Sequence, residues 1–272
     1  MQHSTPEFAR IAAEGTFLRC QVGSVVHGLD IDDQNDRDEM GICIEPPEYV
    51  IGLRHFEQYI HRTQPDDVRS GPGDLDLTVY SLRKWTRLAL AGNPTVLLPL
   101  FVPEDECVVL TETGRELRTH AHRFLSRHAG ERFLGYLRAQ RDRMEGLRGG
   151  KHTNRPELVS MHGFDTKYAY HMVRLGIQGV ELMETGKLTL PMPEPDRSWL
   201  LALRRGEHTR DEALARTTEL EARLTDLRTT SDLPAEPDTA WADHWLVNTY
   251  RHAWSRRRPA ATASQPQDKV LP

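Results

Sequence analysis

Cysteine is scarce: Cys20, Cys43 and Cys107 are the only three in 272 residues, far apart and without a CxxC pair. That excludes a disulfide framework and a zinc knuckle, and predicts buried, reduced thiols. Long apolar runs are also missing. None approaches the ~18 residues of a membrane span, and the first fifteen residues, MQHSTPEFARIAAEG, lack the apolar core of a signal peptide. The expected location is the cytoplasm, with no membrane partner. There is no basic excess either: 35 Lys and Arg against 40 Asp and Glu give a net charge of −5. A globally basic nucleic-acid coat is excluded, while a local basic groove is not. No internal repeat is present. A hydrophobic share of 38% and a charged share of 28% fit a polar globular chain, long enough for one core or two.

Periodicity then divides the chain. Residues 5–14 read as a short helix capped by Thr5, with Phe8, Ile11 and Ala12 on one face. A strand is expected over 16–22 and a second one from Asp38 to residue 44, ended by Pro46-Pro47. Residues 64–73, rich in Asp, Pro and Gly, read as a mobile loop. LDLTVY at 75–80 alternates as a strand, with Asp74, Asp76 and Thr78 on one face. SLRKWTRLALA at 81–91 reads as a helix capped by Ser81, leaving Arg83, Lys84 and Arg87 near that face. After an apolar element at 95–101 and a short strand at 107–110, the pattern turns helical: 112–127, 131–147, 162–184, 209–227 and 238–254. Residues 149–156 read as a basic linker, 187–195 as an extended segment, and the tail from Arg256 as disordered.

The most informative stretch is GSVVHGLDIDDQNDRDEMG at 23–41. A strand ending at Gly23-Ser24 and turning into a short helix offers N–H groups and a hydroxyl to a phosphate. Asp36 and Asp38 stand two apart, so in a strand both carboxylates reach the same side. Two hard oxygen ligands beside a phosphate cradle suit Mg²⁺ (or Mn²⁺), which binds through a few carboxylates together with substrate phosphates. Asp76 is the third candidate carboxylate, with Asp74 as its fallback. A glycine turn followed by a solvated acidic loop would have much the same composition.

A second constellation lies in HGFDTKYAYHMVRL at 162–175. On a helix starting near Asp165, the residues Lys167, His171 and Arg174 fall at spacings of four and three and share a face. Docked over an acidic site, that face suits a nucleoside triphosphate. In a purely structural reading Asp165 caps the helix, Lys167 and Arg174 are solvated, and His171 is a core histidine.

The Gly-Ser and Asp-x-Asp pattern resembles the nucleotidyltransferase signature of the DNA polymerase beta superfamily. Four segments narrow the resemblance: GS…DRDEMG, YSLRKWTRLALAGNPTVL, HGFDTKYAYHMVRLGIQGVELMETGKLTLPMPEP and ALRRGE. Together they resemble the RNA-ligase-associated nucleotidyltransferases of an RNA-repair pathway. The resemblance implies an α+β fold: a polymerase-beta-like catalytic domain with a small mixed sheet and flanking helices (1–110), then a mainly helical substrate-binding domain (111–255) and a tail (256–272). It also implies Mg²⁺ or Mn²⁺, a nucleoside triphosphate such as ATP, an RNA acceptor and an RNA ligase as partner. By matching position Asp36, Asp38 and Asp76 would be the catalytic and metal residues and Ser24 a phosphate residue, while Asp165, Lys167, His171 and Arg174 match the motif without an assigned role; the residue pattern itself makes Gly23, Ser24, Lys167, His171 and Arg174 the nucleotide-binding candidates. Asn35 stands where the family usually has serine, and Pro99 where it usually has glutamate.

Overall fold

In the computed structural model, which describes residues 3–31, 36–65, 68–147 and 155–256, helix α1 (Pro6–Gly15) opens the chain. Thr5 accepts a hydrogen bond from the Phe8 N–H at 3.2 Å and Pro6 occupies the first turn, so the helix starts where the sequence says it should. Strand β1 (Thr16–Gln21) leads to the central turn, and β2 (Arg37–Cys43) returns antiparallel to it. Two short elements follow, α2 (Pro47–Val50) and β3 (Gln58–Arg62), then β4 (Leu75–Ser81) and α3 (Leu82–Leu90), whose Ser81 cap accepts from the Lys84 N–H at 3.1 Å. Helix α4 (Pro94–Leu97) runs into a 3₁₀ turn at Leu98–Leu100, where Pro99 is buried, before β5 (Cys107–Leu110).

The five strands form one mixed sheet in the order β3-β4-β2-β1-β5. Only β2 and β4 run parallel, and this pairing sets Asp38 directly opposite Asp76. The alternation of β4 separates the two faces. Leu77 and Val79 pack with Ile11, Ala12, Cys43, Tyr49 and Phe56 on the α1 side. The other face, which carries Leu18, Cys20 and Ile42, joins the main core.

That core is covered by α5 (Glu112–Thr119), α6 (His128–Met144), α7 (Pro156–His162), α8 (Thr166–Thr185), α9 (Asp196–Arg204), α10 (Arg210–Thr230) and α11 (Thr239–Arg256). A capping box at Thr209 and Glu212 starts α10. Helix α11 is tied to the segment after β2 by the Trp254 indole N–H on the Glu45 carbonyl at 3.0 Å, and to α3 by the Tyr250 hydroxyl accepting from the Arg83 N–H at 3.1 Å. No helix among the described residues is long and apolar enough to cross a membrane.

Several elements differ from expectation. Strand β3 and helices α2, α7 and α9 had no clear periodic signal. All five residues of β3 are half-buried, so this polar edge strand does not alternate. Strand β2 starts at Arg37, and Asp38, Met40 and Ile42 share one face. From Glu39 onward every residue of this central strand is buried, so alternation could not fix its start. The helix expected over 112–127 is α5 plus a 3₁₀ turn, Ala121–Phe124. The segment expected to be extended, 187–195, forms neither helix nor strand and packs on the central turn through the Met192 N–H and the His27 carbonyl, 3.0 Å apart. Lys84 and Arg87 pair with Glu57, at 2.8 and 3.5 Å, at the far end of β4 from Asp76, because α3 leaves that strand at its opposite terminus. Residues 66–67 of the expected loop, most of the expected linker and the tail lie outside the described residues.

Candidate active site

The site is built around Gly23. A Cβ there would lie 2.5 Å from the Asp38 carboxylate oxygen and 2.9 Å from the Asp38 Cβ, so only glycine lets the chain pass so close to that carboxylate. The following residues form a tight turn, not the expected short helix. The Ser24 carbonyl accepts from the N–H groups of His27 and Leu29 at 3.2 and 3.0 Å, and Gly28 takes the left-handed conformation at φ 66°. Those N–H groups are therefore consumed within the turn. Val22 completes the link to the acidic strand, its N–H donating to the Asp38 carbonyl at 2.9 Å.

Asp36, Asp38 and Asp76 each offer an oxygen within 4.8 Å of the others. Their environments differ. Burial, then the charges of Asp36 and Asp76, push the Asp38 carboxyl up to about 6, against a smaller opposing pull from Lys167. Burial acts on Asp76 too, but hydrogen bonds from Ser70, Arg62 and Gln64 outweigh it and hold that carboxyl below the usual range. The Arg62 Nε lies 2.9 Å and the Gln64 amide 3.0 Å from its Oδ1, and the Ser70 hydroxyl 2.5 Å from its Oδ2. The segment from Gln64 is thus held on the site at Gln64 and Ser70. Asp74 is turned away: its carboxylate accepts from the Thr63 hydroxyl and the Gly71 N–H at 2.8 and 2.9 Å and shapes the loop. Three converging carboxylates, one of them kept proton-hungry by burial and then by its neighbours, fit a hard divalent cation, because the charge repulsion falls when a cation sits among them.

Helix α8 faces this cluster. Its cap Asp165 is fully buried and accepts from the Lys167 and Tyr168 N–H groups, both at 3.0 Å, from the Arg155 N–H at 2.8 Å and from the Arg155 guanidinium at 3.2 Å. Asp165 is structural, as the plainer reading held. Lys167 is not simply solvated: burial and Arg155 pull its ammonium below the ordinary value, while Asp36 and Asp38 oppose that shift. His171 stays neutral, held well below the ordinary imidazole value by burial and then by Arg174, Lys167, Arg155 and Arg204. Arg174, one turn along, bonds the His27 ring at 2.9 Å and Gln178 at 2.7 Å, and so supports the turn after Ser24 from beneath. Its Nε is buried without a partner.

Sequence reasoning missed Arg62, Gln64 and Ser70 on the acidic side and Arg204 on the basic side, and placed Arg155 only in the basic linker. Arg204 ends α9, donates to the Leu29 carbonyl and lies over the Tyr170 ring at 5.1 Å, within electrostatic reach of Asp30 and Asp36. The ALRRGE segment contained it, but nothing in the residue pattern gave it a role.

A mixed sheet bearing three convergent carboxylates under a cationic helix is a nucleotidyltransferase-like arrangement. The chain belongs to the RNA repair pathway DNA polymerase beta family, RlaP, whose family model matches residues 1–248. Among curated proteins none matches the chain. A solved nucleotidyltransferase-like protein from Exiguobacterium sibiricum 255-15 is similar at 12% identity and a TM-score of 0.28, over 93% of this chain and 80% of that one.

Proposed function

We propose that the protein is a metal-dependent nucleotidyltransferase that moves a nucleoside monophosphate from a triphosphate to the hydroxyl of an RNA end. The observation that carries this reading is the convergence of Asp36, Asp38 and Asp76 within 4.8 Å, on the face that α8 covers with cations. Those three carboxylates would hold Mg²⁺ or Mn²⁺, which supplies an acidified acceptor hydroxyl and charge neutralisation at the pyrophosphate leaving group. Ser24, on the turn beside Gly23, orients the terminal phosphates. Lys167 stands between the acidic trio and the basic pocket, where its ammonium pairs with a phosphate oxygen. Arg155 and Arg204 extend that charge, and Arg174 keeps the turn in place through His27. His171 is neutral and adds no repulsion among four cations. No side-chain nucleophile is needed, since the acceptor hydroxyl attacks the α-phosphate directly. An RNA ligase is the partner expected from the family's pathway, acting on the same broken RNA.

The second reading is a non-catalytic nucleotide-binding module, favoured by the guanidinium of Arg62 on Asp76. Purified protein incubated with Mg²⁺, total cellular RNA and each α-labelled nucleoside triphosphate in turn separates the two. Label on RNA that Asp38→Asn removes is the expected result. Label on protein or on a small molecule would reject RNA as acceptor. Nucleotide binding without transfer by the folded protein would reject the enzyme.

A further inference from the structure

Cys20 and Cys107 lie 87 residues apart in the chain, yet they are Cα partners on β1 and β5 with their sulfurs 2.9 Å apart. The register of this pair slips between Arg19 and Cys20, so Cys107 stands where even pairing would place Val108. Residues opposed in an antiparallel ladder have Cα atoms about 4.5–5.5 Å apart, within the span of a disulfide. Both thiols are free.

The two sulfurs are not equivalent. Cys20 is completely buried, while Cys107 on the edge strand is partly open. The Arg118 guanidinium sits 3.2 Å from the Cys107 sulfur and is fixed there by a second hydrogen bond, to the Val102 carbonyl. The hydrogen bond from Cys20, and then Arg118, hold the Cys107 thiol at about 7 against the opposing effect of burial. The hydrogen bond to Cys107 and burial push Cys20 the other way, well above the ordinary thiol value. Two thiols packed as small apolar groups would need neither the guanidinium nor the opening to solvent.

We propose that Cys107 and Cys20 form a dithiol oxidised by hydroperoxides, with Cys107 as the nucleophile and Cys20 as the resolving thiol. The Cys107 thiolate attacks the terminal peroxide oxygen. An S–O bond forms, the O–O bond breaks, and the departing oxygen takes a proton to leave as water or an alcohol. Cys107 is then a sulfenic acid. The Cys20 sulfur attacks it and gives up its proton; the S–S bond forms, the S–O bond breaks, and water leaves. The two thiols lose two electrons in total and the peroxide gains them. Cys43, buried in the separate cluster beneath α1, takes no part. The product would join edge strand β5 to β1, three residues before Gly23.

The test treats the reduced full chain with stoichiometric hydrogen peroxide, quenches with N-ethylmaleimide and maps non-reduced peptides by mass. The expected product joins Cys20 to Cys107 with the loss of two hydrogens, forms faster than glutathione oxidises, and leaves Cys43 to be alkylated after denaturation. In Cys20→Ser, dimedone should label Cys107 instead. Arg118→Gln should slow the wild-type cross-link several-fold at neutral pH. Thiols that survive peroxide no worse than glutathione, a bond involving Cys43, or Cys107 driven to sulfinic acid without a cross-link would each overturn the proposal. An unchanged rate in Arg118→Gln would overturn the role given to Cys107. The wild-type measurement decides by itself if a variant fails to fold.

Discussion

Replacing Asp38 by asparagine is expected to abolish transfer and yet to stabilise the metal-free fold. The Asp38 carboxyl sits at about 6 in the folded chain against an ordinary value of 3.8. At about 1.4 kcal/mol per tenfold change in proton affinity, the charged group costs the fold about 3 kcal/mol, an upper bound for a half-buried side chain. The sign follows from linkage. Below the ordinary value both states are protonated and no cost exists. As pH rises through 3.8 toward 6 the unfolded chain ionises first, and stability is lost until the full cost is reached above the folded value. Asparagine removes that titration. In EDTA at about pH 8 the variant should melt roughly 5 to 10 °C above wild type, and the gap should shrink severalfold near pH 4. Scanning calorimetry at both pH values reads it, alongside the labelled-nucleotide assay. A variant less stable than wild type at high pH, or a gap independent of pH, would refute the claim that Asp38 is held against burial and carboxylate repulsion. A folded variant with full transfer activity would refute the catalytic assignment.

Gly23→Ala should depress transfer and Mn²⁺ binding by an order of magnitude or more while circular dichroism stays native, because the new Cβ would collide with the Asp38 carboxylate at 2.5 Å. Arg62→Gln should tighten Mn²⁺ binding, read by electron paramagnetic resonance, since the guanidinium competes for Asp76 Oδ1 at 2.9 Å; weaker binding would mean that Arg62 positions the carboxylate instead. His27 and His171 should remain neutral across about pH 5 to 8, where exposed histidines protonate, because burial and then neighbouring cations hold both below the ordinary value; nitrogen NMR of the imidazoles checks this. Arg204→Met should raise KM for the triphosphate several-fold with a smaller effect on kcat, and a reversed split would place Arg204 at the reacting phosphate.

Much of this fold was legible because local chemistry agreed with the global arrangement. Thr5-Pro6 and Ser81 mark helix starts by side-chain oxygens that accept N–H groups, and LDLTVY separates its two faces by strict alternation. The carboxylate trio was legible for the same reason: Asp36 and Asp38 are two apart, and Asp76 shares the face of Thr78. What failed was whatever depended on long-range pairing. Asp76 was nonetheless placed ahead of Asp74, an order that the parallel register of β2 and β4 explains and no local pattern encodes. Strand β3 carries Arg62 to Asp76 by pairing alone. The phosphate cradle was misread as a helix start, because a Gly-Ser pair opens a turn as readily as a helix. The cysteine pair was invisible, since sequence spacing says nothing of two strands joined 87 residues apart.

The electrostatic division of the site explains why Lys167 was only half understood from sequence. A lysine on the exposed face of a helix is ordinarily a solvated charge. Here it is half-buried, and the two sides of the site act on it in opposite senses: Arg155 and Arg204 disfavour its proton, while Asp36 and Asp38 favour it. Its charge state is therefore sensitive to whatever fills either side. A divalent cation among the carboxylates would cancel the support of Asp36 and Asp38, and an anionic triphosphate against Arg155 and Arg204 would restore it. Metal should weaken the Lys167 proton and nucleotide should strengthen it, so through this one ammonium the two ligands oppose each other. Isothermal titration gives the measure: Lys167→Met should weaken nucleotide binding more without Mg²⁺ than with it. Equal losses with and without Mg²⁺ would mean that Lys167 serves the phosphates alone.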